Sequence, residues 1–122
     1  MAEESQGSYI QSLRRTFRGT TRVKESEKDT ELYLVQRMTE IGGLARKFIS
    51  PSHRGVPDQI CCFPNGIAVF VEIKSEGKKP PDYQLREHLR LRTCKQLVEV
   101  VSTKTEVDTI IAKYNSVVNT ED

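Results

Sequence analysis

The sequence predicts an α/β fold of element order αβββαβα, in which a mixed sheet is flanked by helices. Three observations predict it. A chain of 122 residues is long enough for one domain. Apolar side chains recur at the helical period of about 3.6 residues in three stretches. Between those stretches lie four short runs that we interpret as strands, and two of them, residues 58–63 and 67–73, have the β-branched and aromatic residues that are typical of buried strands.

The first helix is predicted over residues 27–41. Ser26 and Asp29 resemble a capping box at its start, and Gly42-Gly43 ends it. The helical spacing puts four apolar side chains on one face, namely Leu34, Val35, Met38 and Ile41.

The remaining elements follow from the same patterns. Strands are predicted over residues 44–49, 58–63, 67–73 and 97–101. A second helix is predicted over 81–93, because Pro81 suits a first helical turn, and we expect Leu85 and Leu89 to point inward. A last helix over 105–114 turns three apolar side chains to the core: Val107, Ile110 and Ile111.

Basic residues are concentrated near the N-terminus. Between Ser5 and Lys24 the chain has no acidic residue and five basic ones, namely Arg14, Arg15, Arg18, Arg22 and Lys24. We therefore predict a basic, flexible arm over residues 1–25, a folded domain over 26–115 and a tail over 116–122.

Composition excludes some classes of protein. The net charge is only +2, so bulk charge does not indicate nucleic-acid binding. No apolar run reaches the ~18–20 residues that span a bilayer, and the N-terminus lacks the apolar stretch of a secretory signal. We expect a cytoplasmic protein without a membrane partner. Its cysteines, Cys61, Cys62 and Cys94, are predicted to be reduced and buried rather than to form a disulfide or metal site.

One tight turn predicts the register of the central hairpin. In Phe63-Pro64-Asn65-Gly66-Ile67 the proline, asparagine and glycine suit a type I turn followed by a left-handed glycine, which makes a three-residue loop. Phe63 then faces Ile67, and continuing the ladder brings Asp58 opposite Glu72. Lys74, two residues beyond Glu72, lies on the same face.

Two neighbouring carboxylates repel one another, so they either share a proton or bind a divalent cation. Oxygen ligands without histidine or cysteine point to Mg²⁺ or Mn²⁺. A lysine beside such an ion can orient a water for attack on phosphorus. The alternative is a solvated Asp–Glu–Lys salt-bridge ladder on the sheet surface.

Four stretches together resemble the PD-(D/E)XK nuclease superfamily and, within it, the VRR-NUC family of stand-alone, phage-type nucleases. They are ELYLVQRMTEIGGLARKF, SPSHRGVPDQI, FVEIKSEGKKPPDYQLREH and LVEVV. The resemblance covers residues 27 to 111 and implies a restriction-endonuclease-like core for the predicted domain. One departure is visible: the turn after the second helix usually carries a glycine, and this chain has Thr93-Cys94-Lys95.

The resemblance also implies roles for individual residues. Asp58 and Glu72 match the metal-binding acids, with the backbone carbonyl of Ile73 as a further ligand, and Lys74 matches the catalytic lysine. Glu31 matches an acid of the first helix that can reach a metal or its waters. The alternative is a structural glutamate in the first turn of the helix, where the helix dipole favours a negative charge. Gln84 matches a glutamine that orients Lys74 or the phosphate; the alternative is a solvated helix residue.

Basic residues flank this predicted site and suit backbone phosphates of DNA. On the loop and strand before Asp58 they are Arg46, Lys47 and Arg54. His53, on the same loop, is interpreted as a surface or phosphate-contacting residue, and the alternative is a general base. After Lys74 they are Lys78, Lys79, Arg86 and Arg90. Each alone is an ordinary solvated charge, and together they form a candidate track.

We therefore expect a metal-dependent, structure-selective DNA endonuclease, encoded by a phage or a bacterium, that needs Mg²⁺ or Mn²⁺ and no small-molecule cofactor. The resemblance extends to archaeal Holliday-junction resolvases. Symmetric cutting of a four-way junction needs two sites, so a homodimer is expected. The alternatives are a monomeric flap or nicking nuclease, and a DNA-binding module without activity.

Overall fold

The structure, a computed structural model, describes residues 23–117 of the chain. Within this range the elements come in the predicted order: α1 (Glu27–Glu40), β1 (Leu44–Lys47), β2 (Gln59–Cys62), β3 (Ala68–Ile73), α2 (Asp82–Thr93), β4 (Leu97–Val101) and α3 (Lys104–Asn115). The strands lie side by side in the order β1-β2-β3-β4. Pairing is antiparallel except between β3 and β4, which are parallel. The predicted fold class, a mixed sheet flanked by helices, is confirmed.

Helix α1 begins and ends where the sequence indicates. The Ser26 side chain accepts a hydrogen bond from the Asp29 backbone N–H at 3.1 Å, which caps the helix. Gly42, just beyond the end, has a φ of +85°, a conformation that glycine adopts without steric cost. Leu34 and Met38 are fully buried, so the predicted apolar face of α1 is the face that packs against the core of the domain.

The hairpin turn between β2 and β3 has the predicted geometry. The Phe63 N–H donates to the Ile67 carbonyl at 2.8 Å, the Gly66 N–H donates to the Phe63 carbonyl at 3.0 Å, and Gly66 has a φ of +92°. The Asn65 side chain fixes the loop to α3, because its amide donates to the Tyr114 carbonyl at 2.8 Å.

The register of the hairpin follows from this turn. Cys62 pairs with Ala68 and the ladder runs to Gln59 opposite Val71, as predicted. The strands are shorter than predicted at their outer ends. The pairing nevertheless continues past β1, where the Phe48 N–H donates to the Asp58 carbonyl at 2.8 Å. One further step along the ladder places Asp58 opposite Glu72.

The sheet has two unlike faces. We name the face packed against α1 and α3 the core face, because it carries the main apolar cluster. That cluster includes Leu34, Met38, Cys61, Val69, Val71, Val101, Val107 and Ile111. Side chains alternate along a strand, so Glu72 lies on the opposite face, which we name the α2 face.

Helix α2 corrects one prediction. Leu85 and Leu89 do not point inward; their exposed fractions are 47% and 64%. The buried residue of α2 is His88, whose exposed fraction is 0%. The physical reason is that the sheet under α2 carries Glu72 and Lys74, so the helix turns polar side chains toward it.

The cysteine prediction is only partly right. Cys61 is buried on the core face, whereas Cys62 and Cys94 are exposed. Cys62 lies at the end of β2 on the opposite face of the sheet, and Cys94 lies at the end of α2. In the described residues no helix is long and apolar enough to cross a bilayer. The arm and tail predictions fall mostly on residues 1–22 and 118–122, outside the described range.

Candidate active site

Asp58 is held at the sheet end by the backbone of β3. It immediately precedes β2, and its Oδ2 accepts a hydrogen bond from the Ile73 N–H at 3.0 Å. Because Ile73 directly follows Glu72, this hydrogen bond holds the Asp58 carboxylate next to Glu72. The predicted neighbourhood of the two acids is therefore present.

Glu72 is a buried acid paired with Lys74. Its exposed fraction is 1%, its Oε2 lies 3.1 Å from the Lys74 ammonium, and its buried Oε1 has no hydrogen-bond partner among the described residues. Burial, and then the charge of Asp58, raises the pKa of Glu72 to about 7, against the opposing effect of Lys74. The pair is therefore not a solvated surface ladder.

Glu31 and Lys47 line the same cleft as Asp58. This cleft, about 270 Å³, is lined by Glu27, Glu31, Lys47, Phe48, Ile49, Asp58 and Ile73. The Glu31 carboxylate lies 3.9 Å from the Lys47 ammonium. Helix α1 and β1 thus bring an acid and a base to the sheet end, as the sequence predicts for Glu31 and Lys47.

The donor set fits a hard divalent cation. In residues 23–117 there is no group of three or more histidine, cysteine, aspartate or glutamate side chains that could hold a metal ion. Asp58 and Glu72, with a backbone carbonyl at Ile73, are nevertheless the oxygen donors that Mg²⁺ accepts while it keeps several waters. Such an ion would give the buried Glu72 Oε1 a partner, which it lacks among the described residues. Glu31 shares the cleft without completing a third side-chain ligand.

Two residues of α2 carry buried polar atoms. Gln84 is half-buried with a buried, unpartnered Oε1, and both ring nitrogens of His88 are buried without a partner in the described structure. Burial, and then the Arg92 and Lys74 cations, lowers the pKa of His88. The resemblance implies a role for Gln84 and not for His88, which lies four residues further along the same helix face.

A second cleft carries the basic residues. We name it the basic groove; its volume is about 520 Å³, and it is lined by Ser52, His53, Arg54, Tyr83, Arg86, Glu87 and Arg90. The Arg54 guanidinium lies 4.0 Å from the centroid of the Tyr83 ring. Gly55 is required here, since its φ is +92° and a Cβ would lie 3.0 Å from the Tyr83 carbonyl.

The groove assembles only part of the predicted basic track. His53, Arg54, Arg86 and Arg90 come together in it, and Tyr83 is an addition that sequence reasoning missed. Lys78 and Lys79 are exposed on the loop between β3 and α2 and do not line the groove. Arg46 is exposed on β1, where its guanidinium donates to the Ala45 carbonyl.

Comparisons with known proteins show what the chain is similar to. No family model matches the chain. Over 65 residues it is 54% identical to a curated protein described as "Putative nuclease p44", from Acyrthosiphon pisum secondary endosymbiont phage 1. That alignment covers 53% of this chain and 70% of the relative. A solved structure described as "VRR_NUC domain" superposes with a TM-score of 0.68 at 38% identity, covering 72% of this chain and 96% of that one. The chain belongs to the VRR-NUC family of nucleases.

Proposed function

We propose that this nuclease is a metal-dependent, structure-selective DNA endonuclease that cuts four-way junctions as a homodimer. The observation that carries the hydrolytic part is the buried Glu72 beside Asp58, with the Lys74 ammonium 3.1 Å from its Oε2. Two acids held next to a phosphate would weaken DNA binding unless a bound cation neutralised them. A domain that only bound DNA would therefore gain nothing from keeping them.

Asp58, Glu72 and the Ile73 carbonyl would hold the cation, with Glu31 able to reach it or its waters from α1. Mg²⁺ or Mn²⁺ supplies charge neutralisation at the phosphate and a water of lowered pKa. Asp58 stays aligned through the hydrogen bond from the Ile73 N–H. No small-molecule cofactor is part of the proposal.

Lys74 is proposed as the catalytic lysine. Its ion pair with Glu72 holds the ammonium at the mouth of the site, where a point charge can orient the attacking water and stabilise charge developing on the phosphoryl oxygens. The water oxygen forms the new bond to phosphorus as the ester bond to the leaving oxygen breaks. Gln84, on the α2 side, orients Lys74 or the phosphate.

The basic groove is proposed to bind DNA backbone through His53, Arg54 and Arg86. Arg54 is four residues from Asp58, so their Cα atoms are at most about 14 Å apart. Since successive phosphates of one strand rise by about 3.4 Å, a phosphate in the groove lies within a few nucleotides of the one at the acids. Lys47 in the acid cleft, and Lys78 and Lys79 on the adjoining loop, add further cationic contacts.

The dimer part of the proposal is supported by an apolar strip next to the sheet edge. Leu85 and Leu89 share one flank of α2 with Arg92, which donates to the Val98 carbonyl of β4 at 2.9 Å. In the described sheet β4 is an edge strand. A two-fold pairing there would cover both leucines and give the two sites that symmetric cutting requires.

Cleavage of labelled duplex, flap, splayed-arm and four-way junction DNA with Mg²⁺ or Mn²⁺ tests the activity. We expect Asp58→Asn and Glu72→Gln to abolish cleavage while DNA binding is kept or strengthened, because each removes a negative charge near phosphate. Asp29→Asn, which neutralises an exposed carboxylate outside the cleft, is the matched control. Cleavage by either site variant at the wild-type rate would refute the site. No cleavage by the wild type with either ion would favour a binding module.

Light scattering tests the assembly. We expect about twice the 13.9 kDa chain mass and paired, symmetric nicks in the junction, and we expect Leu89→Glu to give monomers. A strict monomer that prefers flaps over junctions would remove the resolvase proposal and leave the nuclease chemistry standing.

A further inference from the structure

Helix α2 holds buried polar atoms of two side chains that have no partner in the described residues. His88 has an exposed fraction of 0%, and neither of its ring nitrogens makes a hydrogen bond in the described structure. Gln84 has a buried Oε1 that also lacks a donor. A buried polar group without a partner costs about 1–3 kcal/mol. The position of His88 therefore opposes stability, which indicates that it has another use.

The two unpartnered groups are complementary. Gln84 and His88 are four residues apart on one helix, so their Cβ atoms are neighbours at about 5–6 Å. A neutral imidazole offers one N–H donor and one bare nitrogen, and the amide oxygen of Gln84 is an acceptor. The donor missing at Gln84 is thus present at His88, one turn away on the same buried side.

This pair lies next to the proposed reacting groups. The Arg92 side chain of α2 donates to the Val98 carbonyl of β4 at 2.9 Å, and β4 pairs with β3, so α2 lies beside the strand that carries Glu72 and leads to Lys74. The effect of the Lys74 and Asp58 charges on the pKa of His88 agrees with this placement. The Gln84 backbone packs on Gly55, where a Cβ would lie 3.4 Å from the Gln84 Cα, and the chain from Gly55 leads directly to Asp58. His88 is fully buried and cannot reach a substrate, whereas Gln84 is half-buried and keeps part of its side chain accessible.

We propose that His88 is a positioning residue for Gln84. Its ring N–H donates to a bridging water that in turn donates to Gln84 Oε1, and this bridge turns the amide NH₂ toward Lys74 and the phosphate. The inference rests on the proposed role of Gln84 and extends it by one residue. His88 touches neither DNA nor the cation and acts through Gln84.

Replacing the imidazole by an apolar group separates this role from a structural one. We expect His88→Leu to keep or raise the melting temperature while kcat falls about 10-fold and KM changes little. His88→Asn and His88→Gln each place an amide N–H near one of the two ring nitrogens, and one of them should restore most of kcat. Cys94→Ser, at the exposed end of the same helix, should match the wild type. A fall in melting temperature with His88→Leu, together with no rescue by either amide, would make His88 a structural residue and overturn the proposal.

A double-mutant cycle with Gln84→Met tests the route of the effect. If His88 acts through Gln84, the double variant is no slower than Gln84→Met alone, which is strong non-additivity. Independent, multiplying losses in kcat would overturn the proposal.

A measurement without activity separates this inference from the proposed function. ¹⁵N NMR of the imidazole should show one tautomer with a hydrogen-bonded N–H in the wild type, and that signal should shift in Gln84→Met. An unchanged imidazole spectrum in Gln84→Met would overturn the pairing whether or not the protein cleaves DNA.

Discussion

The two faces of the sheet use opposite chemistry. The core face buries aliphatic side chains against α1 and α3, and Leu34, Val71 and Val107 are fully enclosed there. The α2 face buries Glu72 and His88, and α2 leaves its leucines in solvent. The first face gains free energy from removing apolar surface from water. The second holds groups whose burial opposes folding.

This difference shows how the small domain divides its tasks. Stability comes from one face, which lets the other keep a raised carboxyl pKa, a close Glu72–Lys74 pair and an unpartnered imidazole. Proteins tolerate such arrangements where function requires them and compensate elsewhere. Substitutions on the core face should therefore change stability, and those on the α2 face should change activity first.

Lys74→Ala gives the largest expected effect on the α2 face. We expect kcat to fall by about 10²–10⁴-fold, the range for a positioned proton-transfer or charge-stabilising group, and we expect a loss of stability as well, because the buried Glu72 carboxyl loses its cation. Lys74→Arg should rescue poorly, because a planar guanidinium does not replace a point ammonium. Single-turnover cleavage and thermal melting measure the two effects separately. Full activity in Lys74→Ala would reduce the Glu72–Lys74 contact to a structural ion pair.

Leu34→Ala is the matching change on the core face. We expect it to lower the free energy of unfolding by about 2–5 kcal/mol, because a fully buried leucine leaves a cavity. Leu32→Ala, two residues away on α1, is the control: Leu32 is exposed, so the expected change is within about 0.5 kcal/mol. Urea titrations measure both. Similar losses for the two variants would contradict the assignment of the core to this face.

The same contrast explains what the sequence could predict. Repeating patterns identified the core face, and one turn around Gly66 fixed the register that brings Asp58 to Glu72. The orientation of α2 could not be predicted from apolar spacing, because Leu85 and Leu89 have the spacing of a buried stripe and are exposed. What turns the helix is the polar surface of Glu72 and Lys74 beneath it, and that surface forms only when the tertiary structure does. The basic groove likewise depends on the contact of Gly55 with Tyr83.

Glu72 should make the metal-free protein less stable as pH rises. Its pKa is raised from 4.5 to about 7 in the folded state, so the folded protein binds the proton more tightly than the unfolded chain. This contribution is fully present below the unfolded value and is lost as pH rises through about 7. In a chelator, we expect the stability of the wild type relative to Glu72→Gln to fall by about 2 kcal/mol from pH 5 to pH 8. A difference that stays constant with pH, measured by urea titration, would contradict the burial of this carboxyl.

The smallest expected effect concerns the end of α2. Lys95 has a φ of +67°, and its N–H donates to the Arg92 carbonyl while the Gln96 N–H donates to the Leu91 carbonyl. A lysine therefore occupies a left-handed position, one residue after the Cys94 cap, in the turn that usually carries a glycine in the family. We expect Lys95→Gly to stabilise the protein by about 0.5–1 kcal/mol, because a side chain disfavours this conformation. Cleavage should not change, since the residue lies outside both clefts. Hydrogen exchange of the last turn of α2 measures the local gain. Lower cleavage activity in the more stable variant would contradict this expectation and would mean that flexibility at the end of α2 contributes to catalysis.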